Sequence, residues 1–226
     1  MNLLAFDTST EYLSIALSYK GELLSREWAA QQQHAELALP EATRLLADAG
    51  AAWQDLDGLA VSIGPGSFTG LRIGCGIVQG LAFGLDIPTV GVNTLAALAA
   101  DQEADQVFTV LDARMGELYL AAFSRTDSGW DEVVATTVTG PQNLPDLPPG
   151  LWTGVGSGFA VAGEQLAARY GAAIREVIPG RFPHARGVLS IAAQQFAAGK
   201  GHAPDQLQLV YVRDKVALKT SERLRA

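Results

Sequence analysis

Residues Gly64–Gly74, with the sequence GPGSFTGLRIG, decide the fold prediction because they join two apolar segments. An apolar run over residues 59–63 precedes this glycine motif, and a longer one continues from it to Leu85. The pattern predicts a strand, a tight glycine turn and a helix, with Ser67 or Thr69 capping the helix start. Such a turn can hold a phosphate at the helix N-terminus. It can equally be a rigid corner that sets how the helix packs, and the sequence leaves both readings open.

Three well-known nucleotide and hydrolase motifs do not match this turn. Its glycines follow the spacing GxGxxxG, which is one residue longer than the dinucleotide fingerprint GxGxxG. Pro65 also removes a backbone N–H that a phosphate would need. The patterns GxxxxGK[ST] and GxSxG do not occur in the chain. The sequence therefore disfavours a nicotinamide enzyme, a P-loop nucleotidase and a serine hydrolase.

The helix that follows the motif carries glycines four residues apart, at Gly76, Gly80 and Gly84. Each glycine inside a helix costs about 1 kcal/mol relative to alanine, so a favourable contact must offset them. This spacing places the three glycines on one helix face, where another helix can approach closely. The contact can be made inside the chain or with a second subunit, and the pattern alone does not decide between them.

The chain opens with an antiparallel meander, predicted as strands over residues 3–6, 12–19 and 23–28. The turn after the first strand contains the candidate phosphate-loop residues Asp7, Thr8, Ser9 and Thr10. Asp7 could bind magnesium near a phosphate, or it could end the strand and organise the turn by accepting backbone N–H groups. The sequence supports these two roles about equally.

A second copy of this plan follows the polar stretch at residues 101–106. Residues 109–123 again predict strand, aspartate, turn and strand, and Asp112 stands 105 positions after Asp7. The recurrence indicates a duplicated fold with domains at residues 1–102 and 103–226. The final segment of the second domain can pack back on the first domain. Helices are predicted over residues 34–49, 161–170 and 187–198, and a short strand over 209–217.

Composition limits the function classes. The 226 residues carry a net charge of −8, whereas a protein that binds nucleic acid on its own usually has a basic face. The single cysteine, Cys75, excludes an internal disulfide and fits a reducing cytoplasm. The N-terminus has no signal-peptide pattern, and the apolar window at residues 68–85 contains Arg72 and five glycines, which disfavours a membrane span. His34, His184 and His202 are too far apart to form a helical two-histidine metal site.

Four segments of the chain resemble the bacterial TsaB (YeaZ) family, and they occur in the order expected for that family. They are the glycine motif at Gly64–Gly74, Ala5–Thr10 near the start, Leu111–Arg114 at the second hairpin and Tyr211–Ala217 near the end. The resemblance spans almost the whole chain. It implies the α/β fold of the actin-like ATPases, shared with sugar kinases and Hsp70, in which two related domains each have a mixed sheet flanked by helices.

The family acts in forming N6-threonylcarbamoyladenosine at position 37 of tRNAs that read codons starting with A. Its sister protein TsaD is the catalytic subunit and holds nucleotide and metal, with metal histidines in a segment GVNHxxxH. In this chain Thr94 and Leu98 stand where those histidines would be, and neither can replace an imidazole as a metal ligand. Ser9 stands where the nucleotide-binding turn needs glycine. The resemblance therefore implies a non-catalytic subunit with no cofactor.

The resemblance also implies the partners. These are a TsaD-like catalytic subunit in a heterodimer, a TsaE-like ATPase, a second copy when the chain is alone, and tRNA only through the complex. The implied interface comprises residues of two helices: His34, Leu37, Leu45, Phe68, Leu71, Arg72, Cys75, Gly76, Gln79, Gly80 and Phe83. The rival functions are a residual actin-like ATP-binding enzyme, a glycopeptidase-like hydrolase and a direct tRNA-binding module, which the net charge disfavours.

Overall fold

The computed structural model describes residues 1–213, and its first half is built on a five-stranded mixed sheet. Its strands are β1 (Leu3–Asp7), β2 (Leu13–Tyr19), β3 (Glu22–Trp28), β4 (Gly58–Gly64) and β5 (Thr89–Asn93), and its helices are α1 (His34–Asp48), α2 (Phe68–Leu85) and α3 (Thr94–Ala100). The strand order is β3-β2-β1-β4-β5. The first three strands are antiparallel, whereas β1, β4 and β5 run parallel.

The second half repeats this topology. Its strands are β6 (Gln106–Asp112), β7 (Leu118–Thr126), β8 (Gly129–Thr139), β9 (Trp152–Gly156) and β10 (Ile174–Pro179), and its helices are α4 (Gly158–Val161), α5 (Gly163–Tyr170) and α6 (Ala185–Ala197). Strand β6 pairs antiparallel with β7 and parallel with β9, as β1 does with β2 and β4. The predicted fold class, two related mixed sheets flanked by helices, is confirmed.

The first sheet is buried on both faces, which is why β1 contains no exposed residue. One face packs against α1 and α2, around Phe6, Leu45 and Val78. The other face packs against α6, which belongs to the second half in sequence. Helix α6 lies so close to α3 that a Cβ at Gly187 would be 1.9 Å from the Ala97 carbonyl oxygen. The chain thus returns to the first sheet after completing the second.

One predicted element is wrong in its described part. The sequence predicts a strand over residues 209–217, but Leu209–Arg213 form no strand and Asp214–Ala217 lie outside the described residues. One backbone hydrogen bond joins this segment to β4, from the Val210 N–H to the Ile63 carbonyl oxygen at 2.9 Å. Strands β8 and β10 had no sequence prediction, because their exposed, weakly alternating residues give little periodic signal.

Candidate functional site

The first turn, residues Asp7–Thr10, is closed by its own hydrogen bonds. The Asp7 carboxylate is 1% exposed. Its Oδ1 accepts from the Ser9 N–H at 3.0 Å and from the Ser9 hydroxyl at 2.7 Å, and its Oδ2 accepts from the Ser62 hydroxyl. Burial raises the pKa of Asp7 above its usual range, and the bonds from Ser62 and Ser9 oppose that shift. Of the two roles left open by the sequence, these contacts favour the turn-organising one.

The glycine motif packs directly against this turn. The Ser67 N–H donates to the Ser9 carbonyl oxygen at 2.7 Å, and the Thr8 hydroxyl donates to the Gly70 carbonyl oxygen at 2.8 Å. A Cβ at Gly70 would lie 2.1 Å from the Thr8 carbonyl oxygen, and one at Gly74 would lie 2.3 Å from the Thr8 hydroxyl. Glycine is required here because the helix backbone touches the turn. Glycine at these positions therefore allows α2 to pack closely against the turn.

The start of α2 is capped within the chain as well. The Ser67 hydroxyl accepts from the Gly70 N–H at 3.2 Å, as the sequence predicted for one of its two candidate caps. Thr69, the other candidate, is exposed in the first turn of α2. The rigid-corner reading of the glycine motif therefore describes its geometry.

A cleft of about 630 Å³ lies between the two halves. The first turn contributes Thr10 to its wall, and the corresponding turn of the second half contributes Asp112 and Arg114. Asp112 is occupied within its own turn, because Oδ1 accepts from the Arg114 N–H at 2.7 Å and Oδ2 contacts the Arg114 guanidinium at 3.1 Å. Much of the remaining wall is apolar, including Leu71 and Phe182.

The positions that correspond to metal ligands lie in α3 and do not fit a metal. Thr94 and Leu98 are both 0% exposed, and the buried Thr94 hydroxyl has no hydrogen-bond partner. The Asn93 side chain caps this helix by accepting from the Leu95 N–H at 2.8 Å. Within residues 1–213, no group of three or more His, Cys, Asp or Glu side chains could hold a metal ion.

One surface of α2 is uncovered in the described chain. We define the α2 face as Phe68, Arg72, Gly76, Gly80 and Phe83. A Cβ at Gly76 or Gly80 would meet no atom within 4 Å, and Phe68 and Phe83 are 40% and 83% exposed. Helix α2 is also long and apolar enough, by length and composition alone, to cross a membrane, although 33% of it is buried inside the chain. Within residues 1–213, the glycine stripe has no partner.

Four other residues of the predicted interface lie inside the chain. These are His34, Leu45, Leu71 and Cys75. His34 contacts the Tyr12 carbonyl oxygen through Nε2 at 3.2 Å, which explains a histidine in that position. Burial raises the pKa of the Cys75 thiol, so its reactive thiolate is disfavoured. Their side chains are parts of the core that positions α1 and α2.

Gln79 and Leu37, the remaining predicted interface residues, are half-buried. The Gln79 amide holds a C-terminal strap, which we define as residues 204–213, by donating to the Pro204 and Leu207 carbonyl oxygens at 3.2 and 3.1 Å. At its far end the strap reaches the second half, where Arg213 contacts Glu117 at 2.5 Å. The sequence allowed the final segment to pack back on the first domain, but it did not identify these contacts, which join residues more than 90 positions apart.

Comparisons with known proteins show similarity over nearly the whole chain. The family model described as TsaD, tRNA N6-adenosine threonylcarbamoyltransferase, matches residues 28–168. The tRNA threonylcarbamoyladenosine biosynthesis protein TsaB of Escherichia coli K12 is 37% identical over 229 residues, covering 97% of each chain. TsaB of Haemophilus influenzae is 33% identical, covering 97% of this chain and 96% of its own. The solved structure of YeaZ from Pseudomonas aeruginosa superposes with a TM-score of 0.82 at 34% identity, covering 93% of this chain and 99% of its own.

Proposed function

The chain belongs to the TsaB family, and we propose that it is a non-catalytic subunit in the biosynthesis of tRNA threonylcarbamoyladenosine. In this role it pairs with a TsaD-like catalytic subunit and supports threonylcarbamoyl transfer to A37 of tRNAs that read A-starting codons. The observation that carries the proposal is a contrast on one helix. The inner side of α2 packs against the turn at Asp7–Thr10, whereas its outer side is uncovered in residues 1–213.

The absence of catalysis is supported by the chemistry of the sites that the fold would use. Asp7 is buried with its oxygens engaged, and Ser9 donates to it instead of leaving room for phosphate. Leu98 has no donor atom, and the buried Thr94 hydroxyl does not replace an imidazole as a metal ligand. These features support a subunit without catalysis.

The α2 face supports pairing with another protein. Phe68 and Phe83 offer exposed aromatic surface, and the glycines between them allow a facing helix to approach closely. Leu39 on the neighbouring helix α1 adds further apolar surface at 42% exposure. A TsaE-like ATPase is proposed to join the heterodimer, and a second copy of the chain to occupy the face when no partner is present. Because the net charge is −8, tRNA is proposed to bind only through the complex.

Reconstitution tests the function. The chain is mixed with a TsaD-like subunit, a TsaE-like ATPase, threonylcarbamoyl-adenylate and tRNA, and modified adenosine is measured. Omitting the chain should abolish turnover, whereas the chain alone should give none. Equal turnover with and without the chain would refute a supporting role.

The surface is tested by Gly80→Leu. Leucine fits the open side of α2 without disturbing the chain, but it should separate a facing helix and abolish the heterodimer on a sizing column. Gly163→Leu is the matched control, because Gly163 is also helical and open but lies on α5 of the second half. A folded Gly80→Leu chain that still forms the complex would contradict the proposed surface.

The cleft between the halves favours a second candidate, a residual ATP-binding enzyme or a glycopeptidase-like hydrolase. Its volume of about 630 Å³ and its position between the two turns are what such an enzyme would use. Calorimetry of the isolated chain with ATP and Mg²⁺ distinguishes the candidates. Tight binding would support the enzyme, and no heat of binding would support the non-catalytic subunit.

A further inference from the structure

Arg72 is held in place on the α2 face by two aromatic rings. Its guanidinium carbon lies 3.6 Å from the Phe68 ring centroid and 5.8 Å from that of Tyr211. Its Nε donates to the Tyr211 hydroxyl at 3.2 Å. Stacking uses the flat side of the guanidinium, and the bond to Tyr211 uses Nε. The two terminal nitrogens, Nη1 and Nη2, remain as in-plane donors, which is the arrangement that binds a carboxylate.

This arginine differs from most others in the described chain. Seven arginines within residues 1–213 pair with a carboxylate: Arg26, Arg44, Arg114, Arg125, Arg169, Arg186 and Arg213. No carboxylate in that part of the chain lies within salt-bridge distance of Arg72, although acidic residues outnumber basic ones by 24 to 16. Arg72 is also the only charged residue of α2.

We infer that Arg72 is a specificity-determining residue, which binds an Asp or Glu carboxylate on the partner helix that packs along the α2 face. This inference rests on the proposed function, because it names the chemistry of the same pairing surface. Close approach of a helix at Gly76 and Gly80 removes water from the neighbouring guanidinium. A carboxylate then forms a charge-assisted pair with defined geometry. A partner without one leaves a desolvated charge unpaired, so Arg72 both attracts the right partner and rejects others.

A second copy of the chain matches Arg72 less well. Its α2 has no carboxylate. On α1, Glu41 already pairs with Arg44, and Asp48 pairs with Arg26. Glu36 is the one remaining acid of α1. If two copies paired through Arg72, Glu36 of the second copy would be its partner, so substitution of Glu36 tests for self-association.

The test measures the affinity of the full chain for the TsaD-like subunit by calorimetry at low and high salt. Arg72→Gln should weaken binding about 10-fold because it leaves the partner carboxylate without its charged donor, and Arg72→Glu about 100-fold because it places two carboxylates together. The affinity of Arg72→Lys should lie between those of wild type and Arg72→Gln, since lysine keeps the charge but lacks the two in-plane donors of the guanidinium. Arg169→Glu is the matched control, an exposed arginine on α5 whose charge reversal should not alter binding.

The partner side gives a direct confirmation. Reversing one acid on the partner's facing helix to arginine should restore binding to Arg72→Glu and weaken binding to wild type. Weakened salt dependence in Arg72→Gln would also support the pair. Melting curves of the isolated variants should match wild type within about 2 °C, which separates binding from folding.

Three results would overturn the inference. The first is unchanged affinity of Arg72→Glu for the partner. The second is loss of self-association only, in both Arg72→Glu and Glu36→Gln, which assigns the surface to a second copy. The third is loss of a tRNA gel shift with an intact heterodimer, which assigns it to RNA. If the wild-type chain itself fails to bind the TsaD-like subunit, the proposed function is refuted and the inference falls with it.

Discussion

Replacing Gly80 by alanine should make the isolated chain more stable. Gly80 lies in the interior of α2, and a Cβ at this position meets no atom within 4 Å. Alanine therefore gains its full helix-propensity advantage, about 1 kcal/mol, without a steric cost. In a chain of this size, a gain of about 1 kcal/mol corresponds to a rise in Tm of about 2–4 °C.

The same substitution at Gly70 should have the opposite sign. A Cβ at Gly70 would lie 2.1 Å from the Thr8 carbonyl oxygen, and backbone cannot move aside as a flexible side chain does. Overpacking of this kind costs about 1–3 kcal/mol, which exceeds the gain in helix propensity. Gly70→Ala is thus a control on the same helix, with the same chemical change and a different environment.

Urea denaturation of the isolated chain at low protein concentration measures both effects. In the heterodimer assay, Gly80→Ala should instead weaken pairing, because its methyl group lies where the facing helix approaches. A variant that is more stable alone and binds less well is the expected result. If Gly80→Ala is neutral or destabilising in the monomer, the side of α2 that bears Gly80 is covered, and the reasoning from an open stripe is wrong.

Three further changes test the described contacts. Burial lowers the pKa of His184 from 6.5 to about 4, so the folded state resists protonation. The contribution of His184 to stability should fall as pH drops from about 6.5 to about 4, by at most about 3 kcal/mol, and then level off; in urea titrations the difference between wild type and His184→Asn should show this slope, and a difference that does not change with pH would contradict the assignment. Gln79→Ala removes the amide that donates to the Pro204 and Leu207 carbonyl oxygens, so the strap should open more often and hydrogen exchange at the Val210 N–H, which donates to the Ile63 carbonyl oxygen, should accelerate; unchanged protection would show that the strap is held elsewhere. Asp7→Ala should cost about 2–4 kcal/mol in urea unfolding because it leaves the buried Ser62 hydroxyl without its acceptor, and Asp7→Asn should cost less; equal losses would argue against hydrogen bonding as the cause.

Local features of the fold were predictable from the sequence. The strand, turn and helix around Gly64–Gly74 follow from short-range preferences, and Ser67 caps the helix as one of two candidates. The duplication was also detectable, because Asp7 and Asp112 each end the first strand of a hairpin. These signals depend on residues close in sequence, where glycine and short polar side chains restrict the backbone directly.

Features that depend on distant contacts were not predictable. Helix α2 is apolar or small on nearly every side, so its periodicity does not indicate which side meets the sheet. The family resemblance implied Leu71 and Cys75 as interface residues, and the structure buries both side chains. The strap was predicted in part as a strand, over residues 209–217, whereas its position is set by individual bonds such as those from Gln79.

The glycines of α2 form two rows with different consequences for stability. Gly74 and Gly76 are two residues apart, which turns the helix by about 200° and places them on opposite sides. The inner row, Gly70 and Gly74, allows contact with Thr8, and that contact offsets its cost within the chain. The outer row, Gly76, Gly80 and Gly84, lowers stability by about 1 kcal/mol per residue with no offsetting contact in residues 1–213. Packing of a partner helix on the outer row would offset that loss, by an amount set by the partner's concentration and affinity.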